Sequence, residues 1–154
     1  MGARLRAQLL VIFWTDSKLK RRRIRTCKIA VVRLGSSRKP DEGLRLGTVR
    51  RPPRGVPKAE FAKRDFYDLW LPDLAPSQEL VTFTQRSQDE RSWRVFKRKF
   101  RVEMNKPEAA RVLDLLAAFS RQTSFSLGCY CEDEKRCHRS VLKELLAERG
   151  AEFS

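Results

Sequence analysis

Short β-branched runs alternate with helix-length amphipathic stretches between residues 26 and 150, and this alternation restricts the chain to few architectures. Lys28-Ile29-Ala30-Val31-Val32-Arg33-Leu34 is a continuous apolar run closed by Gly35-Ser36-Ser37, the pattern of a buried strand. Leu44-Arg45-Leu46-Gly47-Thr48-Val49 reads as a second strand. Ser124 to Cys131 reads as another, with Phe125, Leu127, Cys129 and Cys131 on one face. Trp93, Phe96, Phe100 and Met104 recur at steps of three and four, which predicts an amphipathic helix over Ser92–Met104. Its aromatic stripe faces the core, and Arg94, Lys97, Arg98, Lys99 and Arg101 face outward. A helix over Pro107–Phe119 has proline in its first turn and is expected to turn Val112, Leu113, Leu115, Leu116 and Phe119 inward. Ser77 is placed to cap a helix that carries Leu80 inward, and a closing helix over Arg139–Arg149 buries Val141, Leu142, Leu145 and Leu146 before Gly150. Lys58 to Trp70 reads as a short helix and then an extended piece. Together these elements predict a small single α/β domain with a mostly parallel sheet flanked by helices.

Size and charge narrow the function classes. Of 154 residues, 41% are hydrophobic, enough for a core of its own without disulfide or metal. The apolar stretch Ala7–Trp14 is interrupted at Gln8 and falls short of the roughly 20 residues that span a bilayer. No cleavage-site pattern follows it, so a cytoplasmic protein without a membrane partner is expected. The formal charge of +15 draws the chain to polyanions. About half of that excess sits in residues 1–25, a basic extension ahead of a domain over 26–154. An anionic, phosphate-bearing small molecule is one expected partner. Nucleic acid gripped by the basic helix face is another, with the cysteines then structural. Oligomeric state is not readable from the sequence.

One segment concentrates reactive side chains: Cys129-Tyr130-Cys131-Glu132-Asp133-Glu134-Lys135-Arg136-Cys137-His138-Arg139-Ser140. It lies where a strand hands over to a helix, the edge at which open α/β sheets bind ligands. Amides at a helix N-terminus favour a thiolate or an anion. Four readings share these residues: packed, inert cysteines; an activated thiol; a zinc site, for which C-x-C and adjacent C-H are unusual spacings; and an anion pocket. The activated-thiol reading makes Cys137 or Cys129 the nucleophile or redox thiol and His138 the proton carrier. Neighbours on a helix point about 100° apart, so His138 is expected to serve Cys129 or Cys131 rather than Cys137. Arg139 and Ser140 are the expected anion clamp, joined by Arg50 and Arg54 of the proline-rich loop Arg50–Pro57. No cofactor and no metal is required by this reading, while a zinc-stabilised interaction domain stands as an alternative.

Several motifs together resemble one family. Arg45 to Val56, with Arg50 and Pro53-Arg54-Gly55-Val56, is similar to a segment R-I-x-V-D-R-L-W-P-R-G-V; Leu74-Ala75-Pro76-Ser77-Gln78-Glu79-Leu80 to L-A-P-S-x-x-L; Trp93, Phe96, Phe100 and Glu103-Met104 to W-x-x-F-x-x-x-Y-x-x-E-L; and Cys129 to Arg139 to a C-Y-E…C-H-R ending. These are patterns of the domain-of-unknown-function 488 family, also called YeaO-like, and they cover roughly two-thirds of the chain. The resemblance implies a compact, cytosolic, prokaryotic-type α/β domain whose marked polar positions are Arg50, Arg54, Cys129, Cys137, His138 and Arg139. The chain departs from the pattern at Val49 (aspartate in the family), Pro52 (tryptophan), Phe100 (tyrosine) and Cys131 (glutamate in many members).

Overall fold

A computed structural model describes residues 27–86 and 89–153; the basic stretch 1–25 lies outside the described residues. Strands β1 (Ile29–Arg33), β2 (Leu44–Gly47), β3 (Leu69–Trp70) and β4 (Phe125–Cys129) form one sheet in the order β1-β4-β2-β3. All three pairings are parallel, so the chain returns to the same end of the sheet before each strand. The return from β3 to β4 carries helices α1 (Gln78–Arg86), α2 (Glu90–Met104) and α3 (Pro107–Phe119), and α4 (His138–Ala147) follows β4. Local chemistry sets their ends. The Ser77 hydroxyl accepts from the Leu80 amide at the start of α1, and Asp89 caps α2 by accepting from Ser92. Gly150 follows α4 with a φ of +81°, the left-handed conformation that ends helices.

The helices cover one sheet face. Ile29, Leu46, Phe125 and Leu127 pack there with Phe96, Phe100, Met104, Leu113, Leu116 and the α4 residues Val141, Leu142, Leu145 and Leu146. The stripe expected of α3 is narrower than its sequence implied. Leu113 and Leu116 are buried, but Leu115 and Phe119 are about half exposed. At 100° per residue, one buried arc centred on 113 and 116 leaves 115 and 119 outside it. Loops, not helices, lie on the opposite face. A Cβ on Gly47 would meet the Tyr67 ring at 2.4 Å, and one on Gly128 would meet Leu34 Cδ2 at 2.2 Å. Glycine is therefore required at both places for side chains to rest directly on the sheet backbone.

The same face holds a buried ion pair. Arg45 donates from Nε and Nη2 to the two carboxylate oxygens of Glu42 at 2.6 and 2.8 Å, and from Nη1 to the carbonyls of Ser36 and Asp65. Neither side chain reaches solvent. Ser126 of β4 donates to the same carboxylate at 2.6 Å, which ties the loop before β2 to the central strand. Burial alone would raise the Glu42 pKa. Its bonds from Arg45, Ser126 and the Lys39 amide outweigh that and hold it at about 2, below the ordinary 4.5. A carboxyl whose folded value is depressed contributes stability that is complete above its unfolded value and is lost as pH falls toward the folded one. Urea midpoints should therefore decline as pH drops from 4.5 toward 2, and Glu42→Gln should remove that part of the acid dependence. The same substitution leaves the Arg45 charge buried without its partner and should lower unfolding free energy at neutral pH by about 3–5 kcal/mol.

Candidate functional site

Because β4 and β2 run parallel and side by side, their C-terminal ends open at one edge of the sheet. The segment after β2 (Thr48 onward) and the segment after β4 (Tyr130 to Arg136) meet there. Tyr130 Oη donates to the Arg51 carbonyl at 3.4 Å, and Thr48 faces His138. At this edge Cys129, Cys131 and Cys137 bring their sulfurs within 4.8 Å of one another. Cys129 and Cys137 are buried; Cys131, with its sulfur 3.6 Å from that of Cys129, is exposed. Leu34, Val49 and Tyr67 pack with the two buried cysteines in a small cluster, separate from the main core.

Cys137 is the N-cap of α4, with extended backbone angles of −124° and 149°. This geometry corrects the expectation for His138. The 100° rule applies within a helix, and Cys137 stands just before one, so its sulfur and the His138 ring point the same way. Nδ1 of His138 lies 3.6 Å from the Cys137 sulfur. The other ring nitrogen fixes the tautomer. Nε2 sits 2.7 Å from the Thr48 carbonyl and 3.0 Å from Thr48 Oγ1, whose own hydrogen goes to the Gly128 carbonyl. Both Thr48 oxygens can only accept from the ring, so Nε2 carries a hydrogen and Nδ1 is left to exchange a proton with the sulfur. Phe100 packs its ring edge-on against His138 at 5.7 Å and holds the imidazole from the core side.

Arg139 is buried, 2% exposed. It donates from Nε to the Cys137 sulfur at 3.2 Å, from Nη2 to the Cys131 carbonyl at 2.7 Å, and from Nη1 to the Val32 carbonyl. Among the described residues no carboxylate lies within ion-pair distance of it. A buried guanidinium needs an anion, and the one ionisable group it touches is the thiol of Cys137. Hydrogen bonds from Cys129 and Cys131, with His138 beside it, hold the Cys137 pKa far below the ordinary thiol range against the opposing effect of burial. The bonds to Cys131 and Cys137, together with burial, push Cys129 the other way. The shifts run in opposite directions at the two buried sulfurs, down at Cys137 and up at Cys129.

The other residues marked in the sequence have different partners. Arg50 turns to the start of α1, donating to the carbonyls of Pro76 at 2.9 Å and Ala75 at 3.4 Å. Arg54 is exposed. Ser140 donates its hydroxyl to the Cys137 carbonyl at 2.9 Å. On α2, Arg94, Arg98 and Lys99 are exposed, while Arg101 is paired with Glu144 and Glu148. Thr48 and Tyr67 were not singled out in the sequence. Thr48 reads there as an ordinary strand residue and Tyr67 as one of several aromatics; only the pairing of β2 with β4 brings them to the thiols.

The family model described as the active DUF488-N3 subclade matches residues 29–150. The chain belongs to the DUF488 family. No curated protein and no solved structure gave a significant match. Three positions at which the chain departs from the family pattern lie at the cluster: Val49 packs with the buried cysteines, Phe100 against His138, and Cys131 supplies the exposed thiol. Among the described residues no helix is long and apolar enough to cross a membrane.

If Arg139 and the Cys137 thiolate compensate each other, removing the cation must cost the anion. Arg139→Leu is expected to raise the pH at which Cys137 ionises by about 1–3 units, read from ultraviolet thiolate absorbance on the folded protein.

Proposed function

We propose that the protein is a thiol-dependent enzyme in which Cys137 is the nucleophile. The observation that carries this reading is the buried Arg139 guanidinium, 2% exposed, which donates to the Cys137 sulfur and has no carboxylate within ion-pair distance among the described residues. His138 is the proton partner. Its Nδ1 takes the thiol proton as the thiolate forms, and the Thr48 oxygens on Nε2 stabilise the imidazolium. The thiolate then attacks an electrophilic centre, and His138 returns the proton to the departing group. Thr48 fixes the ring and touches no reacting atom, so it is a positioning residue. The cluster reaches solvent at Cys131, and the segment 130–136 outside it is exposed along nearly its whole length. A substrate enters by displacing that segment, a common role for a loop covering a buried site. The chain's excess positive charge favours an anionic substrate through long-range attraction, with Arg54 the exposed guanidinium of the loop after β2.

This reading makes a direct demand on reactivity. An ordinary thiol, with a pKa near about 8.5, loses about tenfold in alkylation rate per pH unit below that value. Cys137, mapped by peptide mass spectrometry after iodoacetamide treatment, is expected to react at a nearly constant rate from about pH 8 down to about pH 6. His138→Asn is expected to slow it at least tenfold at neutral pH, in the manner of a lost proton carrier. A Cys137 that resists alkylation until the protein unfolds refutes the proposal.

A second reading is favoured by one observation, the approach of three sulfurs to within 4.8 Å, which is the donor set of a soft metal ion. It gives the cysteines a structural role. Elemental analysis of protein purified without chelator separates the two: stoichiometric zinc that protects Cys137 from alkylation supports the metal site, and metal-free protein with a reactive Cys137 supports the enzyme.

A further inference from the structure

Tyr67 is the second buried group at this edge that lacks an obvious partner. It is 4% exposed, and its hydroxyl is the buried side-chain oxygen without a hydrogen-bond partner among the described residues. Its ring lies directly over Gly47, too close to admit a Cβ there, and meets Phe61 edge-on at 5.2 Å. These contacts fix the ring, and it packs in the same small cluster as Cys129 and Cys137. Buried hydroxyls in native proteins are nearly always bonded, because an unbonded one has given up water for nothing. The chain therefore holds a rigid phenol in the same buried cluster as the proposed nucleophile, and among the described residues offers it no acceptor.

Resting on the assignment of Cys137 as nucleophile, we infer that the Tyr67 hydroxyl is a catalytic hydrogen-bond donor to a carbonyl oxygen of the substrate, which makes the substrate class an acyl compound. The Cys137 thiolate adds to the carbonyl carbon and forms the S–C bond, and the C=O π pair moves onto oxygen. Tyr67 O–H bonds to that oxyanion without giving up its proton. The pair then returns to re-form C=O, and the leaving group departs with the electrons of its own bond to carbon, leaving a thioester on Cys137. A pre-placed donor of this kind strengthens as charge develops on the oxygen.

The test compares two reactions of the same sulfur. p-Nitrophenyl acetate acylates a thiolate through an oxyanion and releases nitrophenolate; iodoacetamide alkylates it by displacement of iodide, with no oxyanion. Wild-type protein is expected to give a nitrophenolate burst of one equivalent that Cys137→Ser abolishes. Tyr67→Phe is expected to slow the burst at least tenfold, to leave iodoacetamide alkylation of Cys137 within about twofold, and to keep or raise the melting temperature, since it deletes an unbonded buried oxygen. A merely structural tyrosine would not split the two rates. The inference is overturned if Tyr67→Phe acylates at the wild-type rate, if both reactions fall together, if the variant melts lower or fails to fold, or if wild-type protein alkylates without acylating. Failure of the underlying assignment looks different: the burst then survives in Cys137→Ser, or wild-type Cys137 reacts with neither reagent.

Discussion

The buried guanidinium of Arg139 holds the C-terminal edge of the sheet together. It reaches β1 through the Val32 carbonyl, the segment after β4 through the Cys131 carbonyl, and the cap of α4 through the Cys137 sulfur. β1 is thereby fixed, across 107 residues of sequence, to the segment around α4's start by one planar group. A cation so placed is tolerable only with an anion against it. The sulfur of Cys137 is the ionisable group placed against it, 3.2 Å from Nε. The N-cap position adds the partial positive charge of the α4 amides to the same sulfur.

The molecule contains a useful internal control. Arg45 is also fully buried, and it too donates to carbonyls, but a carboxylate lies against it in a two-pronged bond. That pair is closed on every side by Ser126 and the Lys39 amide, and it fastens a loop to the sheet. Arg139 has a sulfur where Arg45 has Glu42. The Glu42 carboxylate accepts from four donors, whereas the Cys137 sulfur takes a single guanidinium bond. The same physical problem meets a carboxylate in one case and a sulfur in the other.

How much of this could be read from the sequence depends on whether the determinant is local. Strand runs such as Ile29–Arg33, the helix over Pro107–Phe119 and the Ser77 cap follow from periodicity and backbone preference within a few residues, and they stand in the structure. The density of chemistry from Cys129 to Arg139 was equally visible. Partner choice was not. Whether Arg50 would face the thiols or the carbonyls of Ala75 and Pro76 depends on where α1 begins in space, which no local pattern encodes. The helix rule points His138 away from Cys137, but Cys137 is the cap, where the backbone is extended and the ring meets its sulfur. Tyr67 carried no signal at all. Its place follows from Gly47, and a glycine inside a strand does hint that something lies close to the backbone.

Gly47 also explains why the edge is preorganised. A side chain at that position would lift Tyr67 off the sheet and move the wall that encloses Cys129 and Cys137. The glycine weakens β2 locally, since it packs nothing of its own and costs conformational entropy on folding. In exchange the aromatic ring approaches the backbone closely enough to be locked by it. The adjacent residue, Thr48, takes both its amide and its hydroxyl to the Gly128 carbonyl, which leaves its own oxygens aimed at His138. Two consecutive residues at the end of one short strand thus seat the Tyr67 ring against the backbone and hold the imidazole next to Cys137. The reactive groups come from the segment after β4, but the end of β2 determines where they can act.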